Sequence, residues 1–253
     1  MKIILVRYLY LVYVGMNQGY APLQRIEVRD AIRYAIDYDG IIENVIQGAG
    51  VKTQTFIPKG LLGYNPVMPY TYDVQKAKQL LVQGGYPNGF NVELSCLNYS
   101  PWIDLAMKIK GDLAEIGINV KVVQLTSEKM VEVWFARENQ LFLWEWGVDY
   151  TDPDANAKPF AHSDSLGNDA TVKQLAWWFK YVNKESSKLV EQAAQELDPQ
   201  KRAKLYKQIT EIILHDGPFA ILFTKIHQYG VRVEIADFIR NPSVLVSPFP
   251  QLK

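Results

Sequence analysis

Apolar positions along this chain switch repeatedly between a helical and an alternating period. Over Arg25–Ile36, the residues Val28, Ile32, Ala35 and Ile36 fall at helical spacing. Asp37 or Asp39 is placed to cap a second short helix through Ile41, Ile42, Val45 and Ile46, closing at Gly48. A turn-rich stretch from Pro58 to Pro69 reads as loop. Asp73 then caps a helix over Val74–Gln83 that turns Ala77, Leu80 and Leu81 inward and stops at Gly84-Gly85. In Asn91–Leu97 the pattern changes to alternation of Val92, Leu94 and Cys96, which predicts a strand. Trp102, Ala106, Ile109, Leu113 and Ile116 step by 4, 3, 4 and 3, the stripe of one helix, closed by Gly117. Ile118–Leu125 returns as a strand, so Asn91–Leu125 predicts a right-handed parallel crossover. Ser127 is placed to cap Glu128–Arg137, and Leu141–Trp146, apolar on both faces, reads as a buried central strand.

Beyond Gly147 the pattern loosens into a long loop from Asp149 to Asp169. Helices follow over Ser187–Leu197 and from the cap Asp198-Pro199, then a strand over Phe219–Phe223. The tail from Val231, with Pro242, Pro248 and Pro250, reads as irregular. The β-branched and aromatic N-terminus, Met1–Val14, suits a strand. Strands alternating with helices give an α/β class.

Composition narrows the function. The 253 residues are 48% hydrophobic and 21% charged, which fits a globular chain. Lys plus Arg and Asp plus Glu are 27 each, with no basic run or stripe, which argues against a nucleic-acid partner. Cys96 stands alone, so an intrachain disulfide and CxxC motifs are excluded. His162, His215 and His227 lie far apart without an HxxxH pattern, so neither a metal nor a cofactor is expected. No apolar run reaches the roughly 18 residues of a membrane helix. Arg7 interrupts the apolar N-terminus and no small-x-small cleavage site follows, so that segment reads as structure rather than a targeting signal.

Candidate chemistry gathers in the loop Trp144-Glu-Trp-Gly-Val-Asp149-Tyr150-Thr-Asp152-Pro-Asp154. A carboxylate at a strand's carboxyl end is placed to hold a cationic group, with Trp and Tyr rings to wall it off from water. From residue types alone, Asx turns and caps are the favoured reading of the same aspartates. Nothing in their spacing fixes a glycosidase-type carboxylate pair. His162-Ser163-Asp164 spells a triad in order, but triads assemble from distant segments, and turn chemistry accounts for it. Cys96 reads as a small buried hydrophobe, and Trp177-Trp178 as packing before a helix. Asn98-Tyr99-Ser100 lies between strand and helix, where backbone N–H groups can meet a polar ligand and Ser100 can cap.

Tyr13-Val-Gly15-Met16-Asn17 followed by Val28-Arg29-Asp30-Ala31-Ile32-Arg33-Tyr34-Ala35-Ile36-Asp37 resembles a signature of the family 5 extracytoplasmic solute-binding proteins, the peptide- and nickel-binding receptors of ABC importers. The match continues in order through Tyr72-Asp73, Gly85-Tyr86-Pro87-Asn-Gly89-Phe90, Leu113-Ala-Glu115-Ile-Gly117, Trp146-Gly-Val-Asp149-Tyr150-Thr-Asp152-Pro153, Asp198-Pro199 and Gly217-Pro218.

The resemblance implies one α/β lobe of the type II periplasmic-binding-protein kind, a mixed sheet flanked by helices. It divides the chain into a crossing strand at 1–17, a ligand-binding lobe at 18–225 and an irregular tail at 226–253. The hinge falls near Val12–Asn17 and Leu222–His227, and the other lobe and leader of such receptors are absent, as in a truncated product or fragment. It also implies that Asp149 holds a peptide's α-ammonium and Trp146 packs along the ligand. Tyr150, Tyr99 and Trp102 complete the candidate ligand-binding set, while Asp152 and Asp154 form turns. The chain departs from the commoner pattern at Glu145, where Gly is usual, and at Ala155-Asn156. The expected function is non-catalytic capture of a solute, a peptide first, by cleft closure outside the cytoplasmic membrane. Importer membrane subunits are the implied partners. A self-associating module, dimeric through the exposed lobe face, and an acidic-loop hydrolase are the competing classes.

Overall fold

A computed structural model describes residues 1–233, 238–239 and 251–252. Its main sheet has six strands: β1 (Lys2–Met16), β2 (Gly50–Lys52), β3 (Phe90–Leu97), β4 (Ile118–Leu125), β5 (Leu141–Gly147) and β6 (Phe219–Val231). Their order is β2-β6-β1-β5-β3-β4. β3 runs parallel to β4 and β5, whereas β1 is antiparallel to both β5 and β6, so the sheet is mixed.

The helices are α1 (Ala21–Gln24), α2 (Ile26–Ala35), α3 (Tyr38–Gly40), α4 (Val74–Gln83), α5 (Trp102–Ala114) and α6 (Ser127–Ala136). They continue with α7 (Asp154–Ala161), α8 (Leu175–Trp178), α9 (Lys184–Gln195) and α10 (Pro199–Asp216). Local chemistry sets many of these ends. Asp73 Oδ1 accepts from Lys76 N at 2.9 Å and Asp198 Oδ1 from Lys201 N at 2.8 Å, each satisfying a donor that the first turn leaves open. Gly89 at φ +70° and Gly117 at φ +86° turn the chain into β3 and β4, and a Cβ on Gly89 would stand 1.8 Å from Gly117 O.

Helices cover both sheet faces. Neighbouring residues of a strand point to opposite sides. Tyr13 meets Phe160 of α7 edge-on at 5.7 Å, while Val12 faces Trp102 of α5 across a cavity. Gly15 is small because the Phe179 ring lies across it, 2.0 Å from where a Cβ would sit. Two arginines are buried in the core, and both serve backbone carbonyls at the α10–β6 junction. Arg29 donates to the carbonyls of Leu23, Gln24 and Asp216, and Arg33 to those of His215, Gly217 and Phe219. Burial and the neighbouring Arg33 pull the Arg29 guanidinium down to about 10, against the opposing pull of Asp216, and it stays cationic at neutral pH.

The structure corrects several expectations. The span 149–169 is not all loop: α7 occupies Asp154–Ala161, buried through Phe160 and anchored by Asn156 Nδ2 donating to Phe56 O. Its Asp-Pro-Asp start and internal Pro159 read locally as turn signals. Thr126 rather than Ser127 caps α6, and Trp177-Trp178 lie inside α8. The last long strand runs to Val231, past both the Phe223 end and the 225 boundary, because β1 extends far enough to pair with it. The remainder of the expected irregular tail, including its prolines, lies outside the described residues, except for the pairing of 238–239 with 251–252.

Cys96 is fully buried, as the alternation of β3 implies, and burial pushes its thiol up to about 11. We expect no reaction with a thiol reagent at pH 8 in the folded chain and one equivalent after denaturation, because only the thiolate attacks. Rapid labelling of the native chain would contradict this burial.

Candidate functional site: an unpaired carboxylate at the sheet edge

Parallel strands β3, β4 and β5 present their carboxyl ends along one edge of the sheet, the usual place for ligands in α/β sheets. From the same edge β1 and β6 leave together. The pairing of β1 with β5 ends at Tyr10–Gly147, yet Lys2–Arg7 continues against Ile226–Val231 as a two-stranded ribbon.

Asp149 lies two residues past the end of β5 and is exposed. Among the described residues it takes part in no hydrogen bond or ion pair. Its acidic neighbours differ. Glu145 Oε2 is 2.6 Å from Lys225 Nζ. Asp152 takes a two-pronged contact from Arg202, 2.8 Å on each oxygen, and also accepts from Asp154 N at 2.8 Å. Burial pushes the Asp152 carboxyl up, but the Arg202 bonds and that backbone N–H outweigh burial and hold it below the usual range. Asp154 accepts from the Tyr150 hydroxyl at 3.2 Å. Asp152 is thus a turn former, as expected, with a salt bridge added, and Asp149 is the carboxylate left open.

The other sequence candidates divide between the two faces. Trp146 opposes Leu11 and Glu145 opposes Val12, so the two point to opposite sides. The Trp146 ring is half-buried toward α7 and its Nε1 donates to Ala155 O at 3.3 Å, a structural tie. Trp102 of α5, 4% exposed, stacks on Trp144 at 6.2 Å. Tyr99 is half exposed in the β3–α5 loop, and its carbonyl accepts from Trp102 N at 3.0 Å. Ser100 does not cap the helix backbone; its hydroxyl donates to the Asp104 carboxylate instead. Tyr150 is 48% exposed, and burial together with Asp154 pushes its phenol up to about 12.

Sequence reasoning missed Tyr10 and Lys225, and registered Glu145 only as a departure. Lys225 Nζ sits 6.0 Å from the Tyr10 ring and 5.6 Å from the Trp102 ring. The signal available was the switch from the apolar Phe219–Phe223 to polar Thr224-Lys225, which marks where β6 leaves the core. Two cavities flank the stem of the ribbon. One of about 280 Å³ on the α5 side is walled by Val12, Ile46, Trp102, Leu105 and Phe223, with Lys225 contributing to its lining. One of about 450 Å³ is lined by Leu9, Thr53, Lys59, Tyr64, Thr151 and Thr224.

His162 Nε2 meets Glu191 at 3.0 Å, Ser163 Oγ donates to Ser165 O and Asp164 accepts from Thr171, so the sequential trio does not form a relay. Among the described residues no three His, Cys, Asp or Glu side chains converge on a metal position. No helix among them is long and apolar enough to cross a membrane.

Comparison with known proteins agrees with this arrangement. Residues 2–168 match the family described as bacterial extracellular solute-binding proteins, family 5 Middle. The chain is 32% identical over 242 residues to the dipeptide-binding protein of Escherichia coli, covering 90% of this chain and 44% of that protein. It is 31% identical over 239 residues to heme-binding protein A of Haemophilus influenzae, covering 91% and 42% respectively. Among solved structures, HbpA2 from Haemophilus parasuis superposes over all of this chain and 50% of its own, with a TM-score of 0.84 and 29% identity. DppA from Helicobacter pylori, solved in complex with the peptide STSA, has a TM-score of 0.77 and 26% identity, over 90% of this chain and 44% of its own. The chain therefore spans about half the length, or less, of these relatives. A mixed sheet with helices on both faces, the ordered sequence match and the shared fold lead to one conclusion: the chain belongs to the family 5 bacterial extracellular solute-binding proteins.

Proposed function

We propose that this chain forms one ligand-binding lobe of a solute receptor serving an ABC importer outside the cytoplasmic membrane. It captures solute without chemistry. The observation that carries this reading is Asp149, open at the carboxyl edge of the parallel strands while Glu145 and Asp152 are each neutralised. A lone carboxylate there holds a cationic group, and the amino terminus of a short peptide is the first choice. Relatives named for dipeptides, and one solved with a bound peptide, support that choice. Trp102, Tyr99 and Tyr150 supply aromatic surface around the edge, and Trp146 supports the loop from behind. The ribbon of β1 and β6, Lys2–Arg7 against Ile226–Val231, is where the lobe would hinge against its counterpart, outward of the expected Val12–Asn17, whose residues Val12–Met16 pair with β5 inside the main sheet. Importer membrane subunits are the partners of the closed receptor.

Half a cleft buries half a ligand. Titration of the isolated chain with dialanine, followed by backbone amide NMR, is expected to show roughly millimolar binding around Asp149 that vanishes in Asp149→Asn. Shifts that persist in the variant would remove Asp149 from the site.

The exposed Ile3 and Leu5, 67% and 62% accessible on the ribbon, favour one second reading, self-association through this apolar surface. Light scattering after size exclusion tests it: a monomer at all concentrations excludes it, and a dimer lost on Ile3→Lys with Leu5→Lys supports it.

A further inference from the structure

Three formal charges meet where the ribbon leaves the sheet. Glu145 and Lys225 lie 2.6 Å apart with side chains only 27% and 28% exposed, each reaching from a strand that flanks β1. Asp149 is the third. Tyr10, between those strands, pairs with Gly147, two residues before Asp149, and its ring lies 6.0 Å from Lys225 Nζ; burial first and then Glu145 and Asp149 raise its phenol, in keeping with that placement. Lys225 cancels one of them. Among the described residues the site then keeps a single uncompensated carboxylate, and Lys225 also lines a mostly apolar cavity of about 280 Å³ on the α5 side, where Gln47 and His227 are the other polar walls.

We propose that Lys225 is a specificity-determining residue: by neutralising Glu145 and guarding the apolar cavity, it restricts the site to solutes bearing one ammonium group and an uncharged neighbouring side chain. This rests on Asp149 being the ammonium anchor. The ligand's ammonium goes to Asp149, and the side chain beside it enters the cavity against Val12, Ile46, Trp102, Leu105 and Phe223. A cationic side chain in that cavity would bring its charge toward Lys225, where partial burial leaves the repulsion poorly screened. An apolar one meets matching walls. Without Lys225, Glu145 becomes a second open carboxylate at the same place, and the rule inverts toward dications.

A purely mechanical ion pair makes a different prediction, since removing it would weaken every ligand alike. The test is titration of the 253-residue chain with dialanine and with lysyl-alanine, read by amide NMR near Asp149 and Trp102. The wild-type chain is expected to prefer dialanine by about tenfold. Lys225→Met keeps the aliphatic stem and is expected to move the preference at least about tenfold toward lysyl-alanine. The double variant Glu145→Gln with Lys225→Met restores the net charge of the site and should restore the dialanine preference. A Lys225→Met variant that retains the wild-type thermal transition and whose preference stays within about twofold of wild type overturns the proposal while leaving Asp149 as anchor. Should Lys225→Met lose its folded amide spectrum, Glu145→Gln alone decides. It lowers affinity for both dipeptides and keeps the dialanine preference if the charges count as stated, and an unchanged affinity overturns the proposal. Failure of either dipeptide to shift amides near Asp149 in the wild-type chain, or shifts that survive Asp149→Asn, would remove the anchor and this proposal together.

Discussion

Arg33→Met is expected to destabilise the chain by about 3–5 kcal/mol, the range for breaking a buried charged network by removing one partner. Its side chain is 1% exposed and donates to Phe219 O at 3.1 Å, His215 O at 3.2 Å, Gly217 O and Asp30 Oδ1 at 2.7 Å. Methionine keeps most of the stem but leaves three carbonyls at the α10–β6 junction without this donor, and leaves Asp30 without its cation. For a chain of this size the loss corresponds to a thermal midpoint lower by roughly 6–20 °C. Arg25→Ala is the control, because Arg25 is 55% exposed and meets Glu27 only at 3.4 Å, and such pairs contribute about 0–1 kcal/mol. Calorimetry showing Arg33→Met within 1 kcal/mol of the parent would mean that water or rearranged side chains satisfy those carbonyls. The effect also reaches the site, because the junction that Arg33 pins is the start of β6, and β6 carries Lys225 and half of the ribbon.

Asp149→Asn, in a receptor carrying both lobes, is expected to weaken binding of an uncharged-side-chain dipeptide by about 2–5 kcal/mol, the range for truncating a buried charge pair. That is roughly 30-fold to several thousandfold. The carboxylate is exposed in this lobe and makes no ion pair among the described residues, so the ligand's ammonium would be its first strong partner. Closure removes water and strengthens the pair. Asparagine keeps the shape and one acceptor but loses the charge. Asp152→Asn provides the contrast: its carboxylate is engaged by Arg202 and Asp154 N, so its loss should loosen the α7–α10 contact and leave affinity unchanged. Equal affinity losses in the two variants would show that the loop's overall shape, rather than the charge at Asp149, governs capture.

The predicted elements that matched best were those whose signals are local. The caps Asp73 and Asp198 fixed their helices, and the 4, 3, 4, 3 stripe from Trp102 placed α5. Misreadings arose where distant contacts override local preference. The Asp152-Pro153-Asp154 turn signals hid α7, which survives because Phe160 and Asn156 are buried against Tyr13 and Phe56. The polar half of β6 gave no strand pattern, since it gains its hydrogen bonds from the far end of β1.

By itself, the sequence determined the α/β alternation, the family, and a loop rich in carboxylates at the end of a buried strand. Those follow from side-chain period, turn chemistry and residue order, which neighbours along the chain express without help. Which carboxylate is open was decided only in three dimensions. Lys225 stands 80 residues from Glu145 and Arg202 stands 50 from Asp152, so folding alone brings those countercharges to their partners, and among the described residues Asp149 has none.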